Sequence, residues 1–219
     1  MSLRSTIILY IFDLLYTHFA WAYDAVSWVV SRGRWQSWGR AALPFLIGPE
    51  VLELGHGPGH LLATLEADGW MATGIDISSQ MGRLAKKRLA EKELPVCLAR
   101  GRAQDLPFRN GTFDSVVATF PASYIIDPET ARAIREVLRP GGRLVVVWGE
   151  TPIGKSSIKR LLGWLFGSTR KRIIHISKPS SRSGAWGRIY EPVGFVVTVY
   201  HVVQPNYVVT VIVADRVDQ

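Results

Sequence analysis

Residues 51–60 read VLELGHGPGH, and this stretch decides the fold because four strand-forming residues lead directly into a loop with three glycines. A glycine-rich turn between a strand and a helix lets a ligand lie against backbone N–H groups at the start of the helix. An acid, Glu53, precedes the glycines, and His60 stands where a dinucleotide fingerprint has its third glycine. Glu53 would repel a pyrophosphate but attract an ammonium group. The stretch therefore favours a ligand with a cationic end.

Short β-rich runs alternate with helical patterns on either side of this loop. Strands are predicted at 51–54, 71–77, 95–99, 113–120, 143–149, 195–203 and 207–216. Helices are predicted at 60–69, 79–94 and 128–142. Such alternation is typical of a parallel sheet with helices on both faces. Only three residues separate the last two strands, which indicates a hairpin and therefore an antiparallel last strand.

The basic charge of the chain is local. The net charge is +8, but the nine Lys and Arg residues between 151 and 190 meet no acid there, so the rest of the chain sums to about −1. A cationic patch of this kind can serve nucleic acid, anionic lipid or an acidic substrate, and charge alone does not choose among them.

The numbers and spacing of the cysteines and histidines argue against disulfide bonds and metal sites. A single cysteine, Cys97, excludes a disulfide framework and a cysteine-rich zinc site, and it suits the cytoplasm. We expect Cys97 to be a small apolar residue within a strand. The five histidines show no convincing metal-ligand spacing, so no metal site is predicted.

The amino-terminal segment is apolar but interrupted. Asp13, His18 and Asp24 break up the run from Ser5 to Val30, whereas a spanning helix needs about 20 predominantly apolar residues. We expect helices that do not cross a membrane. Their aromatic residues suit either contact with a membrane interface or packing over the core or a substrate pocket.

Four segments carry a family resemblance. ELGHGPG (53–59), GIDIS (74–78), AQDLPFRNGTFDSVVA (103–118) and LRPGGRLVVV (138–147) together resemble the class I S-adenosylmethionine-dependent methyltransferases, in particular those that methylate small molecules. The resemblance implies a Rossmann-like, doubly wound α/β fold whose seven-stranded sheet is mostly parallel with an antiparallel last strand. We therefore predict two parts, an amino-terminal helical cap at 1–45 and a methyltransferase domain at 46–219 with the basic stretch as an insertion at about 151–190.

The resemblance assigns the cofactor-binding residues one by one. Those on the loop beside the methionine part are Glu53, Gly55, His56, Gly57 and Gly59. Asp76 matches the acid that holds the ribose hydroxyls, and Ile77 and Met81 match apolar positions near the adenine. The backbone N–H of Ala103 would face the adenine ring, and Phe120 would lie beside the sulfonium.

Arg102 departs from the family pattern, which often has an acid there to bond the adenine amino group. Asp105 or a main-chain carbonyl then replaces that bond, or the adenine is held more loosely. Equally, Arg102 can be a solvated surface residue.

Candidate catalytic residues follow from the mechanism that the family implies. Methyl transfer is an in-line displacement, so positioning of the nucleophile supplies much of the rate. Tyr124, which follows the fourth strand, and His18 and Tyr23 of the cap are candidates for closing the pocket or relaying a proton. Packing is the alternative role for all three.

The acceptor is predicted to be a lipophilic small molecule. Residues 19–40 are similar in rhythm to the start of quinone-biosynthesis and phospholipid N-methyltransferases, so a quinone precursor or a phospholipid head group is expected. The apolar and basic residues of 155–166 predict an amphipathic lid that rests on an anionic membrane or packs on its own domain. The predicted location is cytoplasmic and peripheral to the membrane. The alternatives are an RNA methyltransferase that uses the basic insertion, and a cofactor-binding protein without catalysis.

Overall fold

A mixed sheet organises the part of the chain that the computed structural model describes, residues 35–152, 175–176, 184–204 and 207–218. Its strands, in chain order, are β1 (Glu50–Leu54), β2 (Met71–Asp76), β3 (Leu98–Arg100), β4 (Phe113–Thr119), β5 (Leu138–Pro152), β6 (His175–Ile176), β7 (Phe195–Gln204) and β8 (Tyr207–Arg216). Their order across the sheet is β3-β2-β1-β4-β5-β8-β7-β6.

Helices connect and cover these strands. The α-helices are α1 (Trp35–Gly39), α2 (His60–Ala67), α3 (Ser79–Ala90), α4 (Pro128–Val137) and α5 (Gly184–Tyr190). Short 3-10 turns span Arg40–Phe45, Ser123–Ile126 and Glu191–Val193. The chain order therefore alternates strand and helix through the first half, as the sequence pattern predicts.

The strand directions confirm the predicted fold class. β1 pairs in parallel with β2 and with β4, and β4 pairs in parallel with β5. β8 lies between β5 and β7 and is antiparallel to both. All seven predicted strands are present, and the two-residue β6 extends the described sheet to eight by pairing with β7. A strand of two residues leaves no periodic signal in the sequence.

Both faces of the sheet are buried. Val51 of β1 packs on the face that carries α1 and α2, whereas its neighbours Leu52 and Leu54 pack on the face that carries α4 and α5. Strands covered on both faces are continuously apolar, which explains runs such as LVVV in β5. Glu53 shares the α2 face with Val51, because side chains alternate along a strand.

Some element boundaries differ from the prediction. The third strand begins at Leu98 rather than at residue 95, so Cys97 lies before it and is exposed instead of packed within a strand. The fourth helix, α4, ends at Val137, short of the predicted 142. Pro140 disfavours helical geometry at Arg139, so the chain turns extended from Leu138.

The predicted cap and insertion fall largely outside the described residues. Residues 1–34, 153–174 and 177–183 carry the amino-terminal segment and most of the basic stretch. Within the described part, no helix has the length and apolar character needed to cross a membrane. The boundaries at 1–45 and 46–219, and the lid at 155–166, stay predictions.

Candidate active site

The glycine loop lies between β1 and α2 and is tied to the neighbouring strand. Gly55, Gly57 and Gly59 all have positive φ, at 65°, 52° and 78°. The N–H groups of Gly55 and His56 donate to the carbonyl oxygen of Ile75 at 2.8 and 3.4 Å. A Cβ on Gly57 would have no heavy atom within 4 Å, so this part of the loop presents bare backbone to open space. The loop is thus a cradle that a ligand can approach closely.

Asp76 ends β2 directly beside this loop. Its carboxylate is buried, and its two oxygens accept hydrogen bonds from the N–H groups of Gly57 at 2.9 Å and Ser78 at 2.8 Å. The backbone therefore fixes the carboxylate at the carboxyl edge of the sheet. Each carboxylate oxygen has capacity for a second hydrogen bond, so Asp76 can still accept from a pair of hydroxyl groups.

Glu53 lies beneath the loop on the α2 face. It is only 2% exposed, and its Oε2 has no hydrogen-bond partner among the described residues. Burial raises the pKa of the Glu53 carboxyl well above its usual value; the hydrogen bond from the Leu62 N–H opposes this rise, and the nearby Asp76 carboxylate adds to it. A buried oxygen without a partner is costly, and an ammonium group would satisfy it.

His56 fills the space under the loop. The ring is buried, and its Nδ1 lies 2.6 Å from the Gly57 carbonyl oxygen, which can only accept, so Nδ1 carries the hydrogen. Burial lowers the pKa of His56, although the Asp76 carboxylate and the hydrogen bond to Gly57 oppose that shift. Neutral His56 thus supports the loop backbone from below.

The predicted adenine positions differ in their exposure. The Ile77 side chain is 58% exposed at the end of β2, so it offers an apolar surface, whereas Met81 is fully buried in the interior. Ala103 is partly buried. Arg102 and Asp105 are both exposed and face each other across a tight turn, in which the Asp105 N–H donates to the Arg102 carbonyl at 3.2 Å.

Phe120 marks the end of β4 at the same edge of the sheet. Its φ is +48°, a strained value for a residue with a side chain. Its N–H donates to the Val147 carbonyl of β5 at 2.8 Å, and its ring packs 5.7 Å from that of Trp38. Strained backbone of this kind clusters at functional sites, and the position of Phe120 beside the reacting group stays a prediction.

Tyr124 reaches back from the Ser123–Ile126 turn to the glycine loop. Its hydroxyl donates to the Leu54 carbonyl at 3.1 Å and lies 2.7 Å from the point where a Cβ on Gly55 would stand. Burial raises the pKa of this hydroxyl, and the carboxylates of Asp76 and Glu53 raise it further. Tyr124 is therefore a hydrogen-bond donor at neutral pH. The other candidates, His18 and Tyr23, lie outside the described residues.

Sequence reasoning missed one residue at this edge. Trp148 follows Val147 in β5 and is 44% exposed, although the four residues before it, 144–147, are fully buried. The available signal was a tryptophan at the end of an apolar strand, directly before Gly149.

Comparison with known proteins gives a likeness for this region of the chain. Residues 51–142 match the family model described as a methyltransferase domain. This region is therefore similar to methyltransferase domains. The predicted family, enzyme class and cofactor agree with this match, and the matched region contains the glycine loop, Asp76 and Phe120.

Curated relatives and a solved structure are also similar to this chain. A demethylmenaquinone methyltransferase from Symbiobacterium thermophilum is 34% identical over 152 residues, which cover 64% of this chain and 60% of that protein. One from Mycobacterium marinum is 37% identical over 135 residues, covering 60% and 56%. The chain thus spans about 60% of the length of the curated relatives it matches. A SAM-dependent methyltransferase from Thermotoga maritima shares the fold with a TM-score of 0.57 at 17% identity, covering 90% of this chain and 98% of that one.

Proposed function

We propose that this protein transfers a methyl group from S-adenosylmethionine to a lipophilic small molecule, a quinone precursor or a phospholipid head group. The arrangement of Glu53, the glycine loop and Asp76 carries the proposal. It offers a buried carboxyl oxygen that has no partner in the described part of the chain, a bare backbone cradle and a fixed carboxylate at one edge of the sheet.

These residues fit the cofactor end to end. Glu53 would hold the ammonium group of the methionine part, and Asp76 would accept from the ribose hydroxyls. Gly57 would let the cofactor lie against the backbone, and the exposed Ile77 would contact the adenine. When bound, the cofactor would supply a methyl group on a sulfonium, from which the neutral thioether S-adenosylhomocysteine leaves readily.

The residues of the chain would then act mainly by positioning the acceptor relative to the methyl group. Phe120 and Tyr124 border the site from the β4 side, where they exclude water from the glycine loop. Because the Tyr124 hydroxyl stays protonated and donates to the Leu54 carbonyl, its role is to close the pocket over the loop. Holding a nucleophile in line with a reacting carbon contributes several kcal/mol to catalysis (about 7 to 11 in favourable cases). The bond from the acceptor to the methyl carbon would form as the C–S bond breaks, and a proton carried by the attacking atom would pass to water, since Tyr124 stays protonated.

The acceptor class rests on similarity and on the sequence. The two curated relatives described above are demethylmenaquinone methyltransferases by name, which favours a quinone precursor as the acceptor. The amino-terminal rhythm of residues 19–40 also favours a lipidic acceptor, because it resembles quinone-biosynthesis and phospholipid methyltransferases. A lipophilic acceptor would bring the protein to the membrane surface, where its basic stretch would meet anionic lipid.

Calorimetric titration with S-adenosylmethionine, S-adenosylhomocysteine and NAD tests the cofactor. We expect the first two to bind and NAD not to bind. Asp76→Ala should weaken binding by about 1 to 3 kcal/mol, the scale of lost hydrogen bonds to a charged group. Asp68→Ala is a matched control, since Asp68 lies at the far end of α2 in an exposed 3.8 Å ion pair with Arg40.

Three results would contradict the proposal. Binding of NAD alone would mean that NAD, and not S-adenosylmethionine, is the cofactor. Unchanged affinity of Asp76→Ala for S-adenosylmethionine would mean that Asp76 does not hold the ribose hydroxyls. Tight, strongly salt-dependent binding of RNA together with methylation of that RNA would favour the nucleic-acid alternative instead.

A further inference from the structure

A β-bulge interrupts the pairing of β5 with β8 at the edge that carries the site. Val147 pairs with Val211 and Gly149 pairs with Thr210, so Trp148 is an extra residue without a partner in the ladder. Bulges are common next to active sites, where they redirect a side chain. Here the redirected side chain is the indole of Trp148, which is 44% exposed.

A second tryptophan holds this indole in place. The rings of Trp148 and Trp186 meet edge to face, with centroids 4.9 Å apart and an angle of 84°. Trp186 stacks in turn on Tyr190 at 6.2 Å and 21°. Tyr190 is fully buried, and its hydroxyl donates to the Ile125 carbonyl at 2.6 Å. The exposed indole is thus fixed to the core through two further rings.

The three rings of Trp148, Trp186 and Tyr190 lie beside the residues of the predicted cofactor site. The Val147 carbonyl, one residue before the exposed indole, accepts from the N–H of Phe120. Ile125, which anchors Tyr190, is adjacent to Tyr124 over the glycine loop. Trp148 therefore stands next to the strand end at which the reacting group is expected.

We propose that Trp148, held by Trp186, is the wall on which a flat aromatic ring of the methyl acceptor stacks. The inference rests on the proposed function and deepens it by choosing a hydroquinone-type ring over a phosphorylated head group. Two indoles offer apolar faces and N–H donors, which suit a planar ring with hydroxyl substituents. A phosphate group is held by cationic side chains or helix N-termini, neither of which the indole pair provides.

Binding of 2-methyl-1,4-naphthoquinone tests this wall. The full-length protein is titrated by calorimetry with and without saturating S-adenosylhomocysteine, which supports no turnover. Trp148→Ala should bind the quinone about ten- to a hundredfold more weakly, the fold-change that loss of one stacked ring produces, and Trp148→Phe should lose less. Affinity for S-adenosylhomocysteine should match that of the wild type in both variants.

Val196→Ala is the matched control. Val196 is 54% exposed on β7 and pairs with Asp215, so it lies at the opposite edge of the sheet from the site. Its substitution should leave quinone affinity unchanged. If Trp148→Ala is unstable, the quinone affinities of Trp148→Phe and Val196→Ala are compared instead. Both substitutions replace one apolar side chain with a smaller apolar one.

Several outcomes would overturn the inference. The inference is wrong if Trp148→Ala binds the quinone as tightly as the wild type does. It is also wrong if the wild type binds phosphoethanolamine and not the quinone. Either result leaves the proposed methyltransferase function intact. Failure of the wild type to bind S-adenosylhomocysteine would instead refute the proposed function. In that case the titrations without cofactor still test the wall.

Discussion

The cofactor side and the acceptor side of the site are built in different ways. On the cofactor side, Gly57 and Asp76 are 19 residues apart and are joined by a backbone N–H. On the acceptor side, Ile125 and Tyr190 are 65 residues apart, and ring contacts bring Trp148 to Trp186. The first side depends on backbone conformation within one strand-helix-strand unit, and the second depends on packing between distant elements.

This contrast explains which side a sequence pattern reveals. A ligand held by backbone N–H groups needs glycines at fixed positions, and these positions lie close together in the chain. A ring stacked on side chains needs only aromatic residues that the fold brings together. We therefore expect substitutions of the glycines on the cofactor side to act through the backbone, and substitution of the exposed Trp148 on the acceptor side to act mainly on binding.

The largest effect is expected from Gly59→Ala. With φ at +78°, a Cβ there would lie 2.8 Å from the Ala85 Cβ and 3.0 Å from the Ala85 Cα, so the loop could not rest against α3. We expect a loss of about 2 to 4 kcal/mol in the free energy of unfolding, from positive-φ strain and overpacking together. Urea denaturation followed by circular dichroism measures this loss.

Gly57→Ala is the matched control for that variant. Its φ of +52° brings similar strain, but its Cβ would meet nothing within 4 Å. We expect only about 1 to 2 kcal/mol of destabilisation, with a disproportionate loss of affinity for S-adenosylhomocysteine. Equal destabilisation by the two substitutions would mean that contact with α3 is not what requires glycine at position 59.

The sequence predicted the local features well because their causes are local. The glycine loop, the position of Asp76 and the presence of the seven predicted strands all follow from turn chemistry and hydrophobic periodicity. Asp127 is a local feature that the sequence analysis did not name: it caps α4 by accepting from the Glu129 N–H at 2.9 Å.

Non-local features could not be predicted in the same way. Asp114 in β4 accepts from the Glu50 N–H and from Arg139, which lie 64 and 25 positions away in the chain. The bulge at Trp148 depends on the register of β5 against β8, which no short pattern specifies. The same holds for the contact of Tyr124 with the glycine loop, which joins residues 70 positions apart.

A smaller effect, dependent on pH, is expected from Glu53→Gln. The folded pKa of Glu53 is raised by burial, so its contribution to stability is fully present below its unfolded pKa of about 4.3 and is lost as the pH rises through the folded value. Glutamine does not titrate. Thermal unfolding should therefore show the variant gaining stability over the wild type as the pH rises above about 4.3, until Glu53 is fully ionised.

The same substitution should weaken cofactor binding at neutral pH. A charge-assisted hydrogen bond to the ammonium group contributes about 1.5 to 3 kcal/mol, and glutamine lacks the charge. Calorimetry with S-adenosylhomocysteine measures the loss. Greater stability together with unchanged affinity would mean that Glu53 does not hold the ammonium group, and parallel pH profiles for the two proteins would mean that another group causes the pH dependence.

Tyr124→Phe should give the smallest effect, and it tests the boundary between the two sides. Tyr124 is next in sequence to Ile125, which belongs to the acceptor side. Its hydroxyl, however, donates to the Leu54 carbonyl on the cofactor side. Removing the hydroxyl should cost about 0.5 to 1.5 kcal/mol of unfolding free energy, the usual net value of one hydrogen bond. Because burial raises its pKa, the hydroxyl does not serve as a base at neutral pH, so the pH profile of kcat should keep its shape. A lost limb in that profile would show that Tyr124 relays a proton, and the two sides would then share a catalytic group.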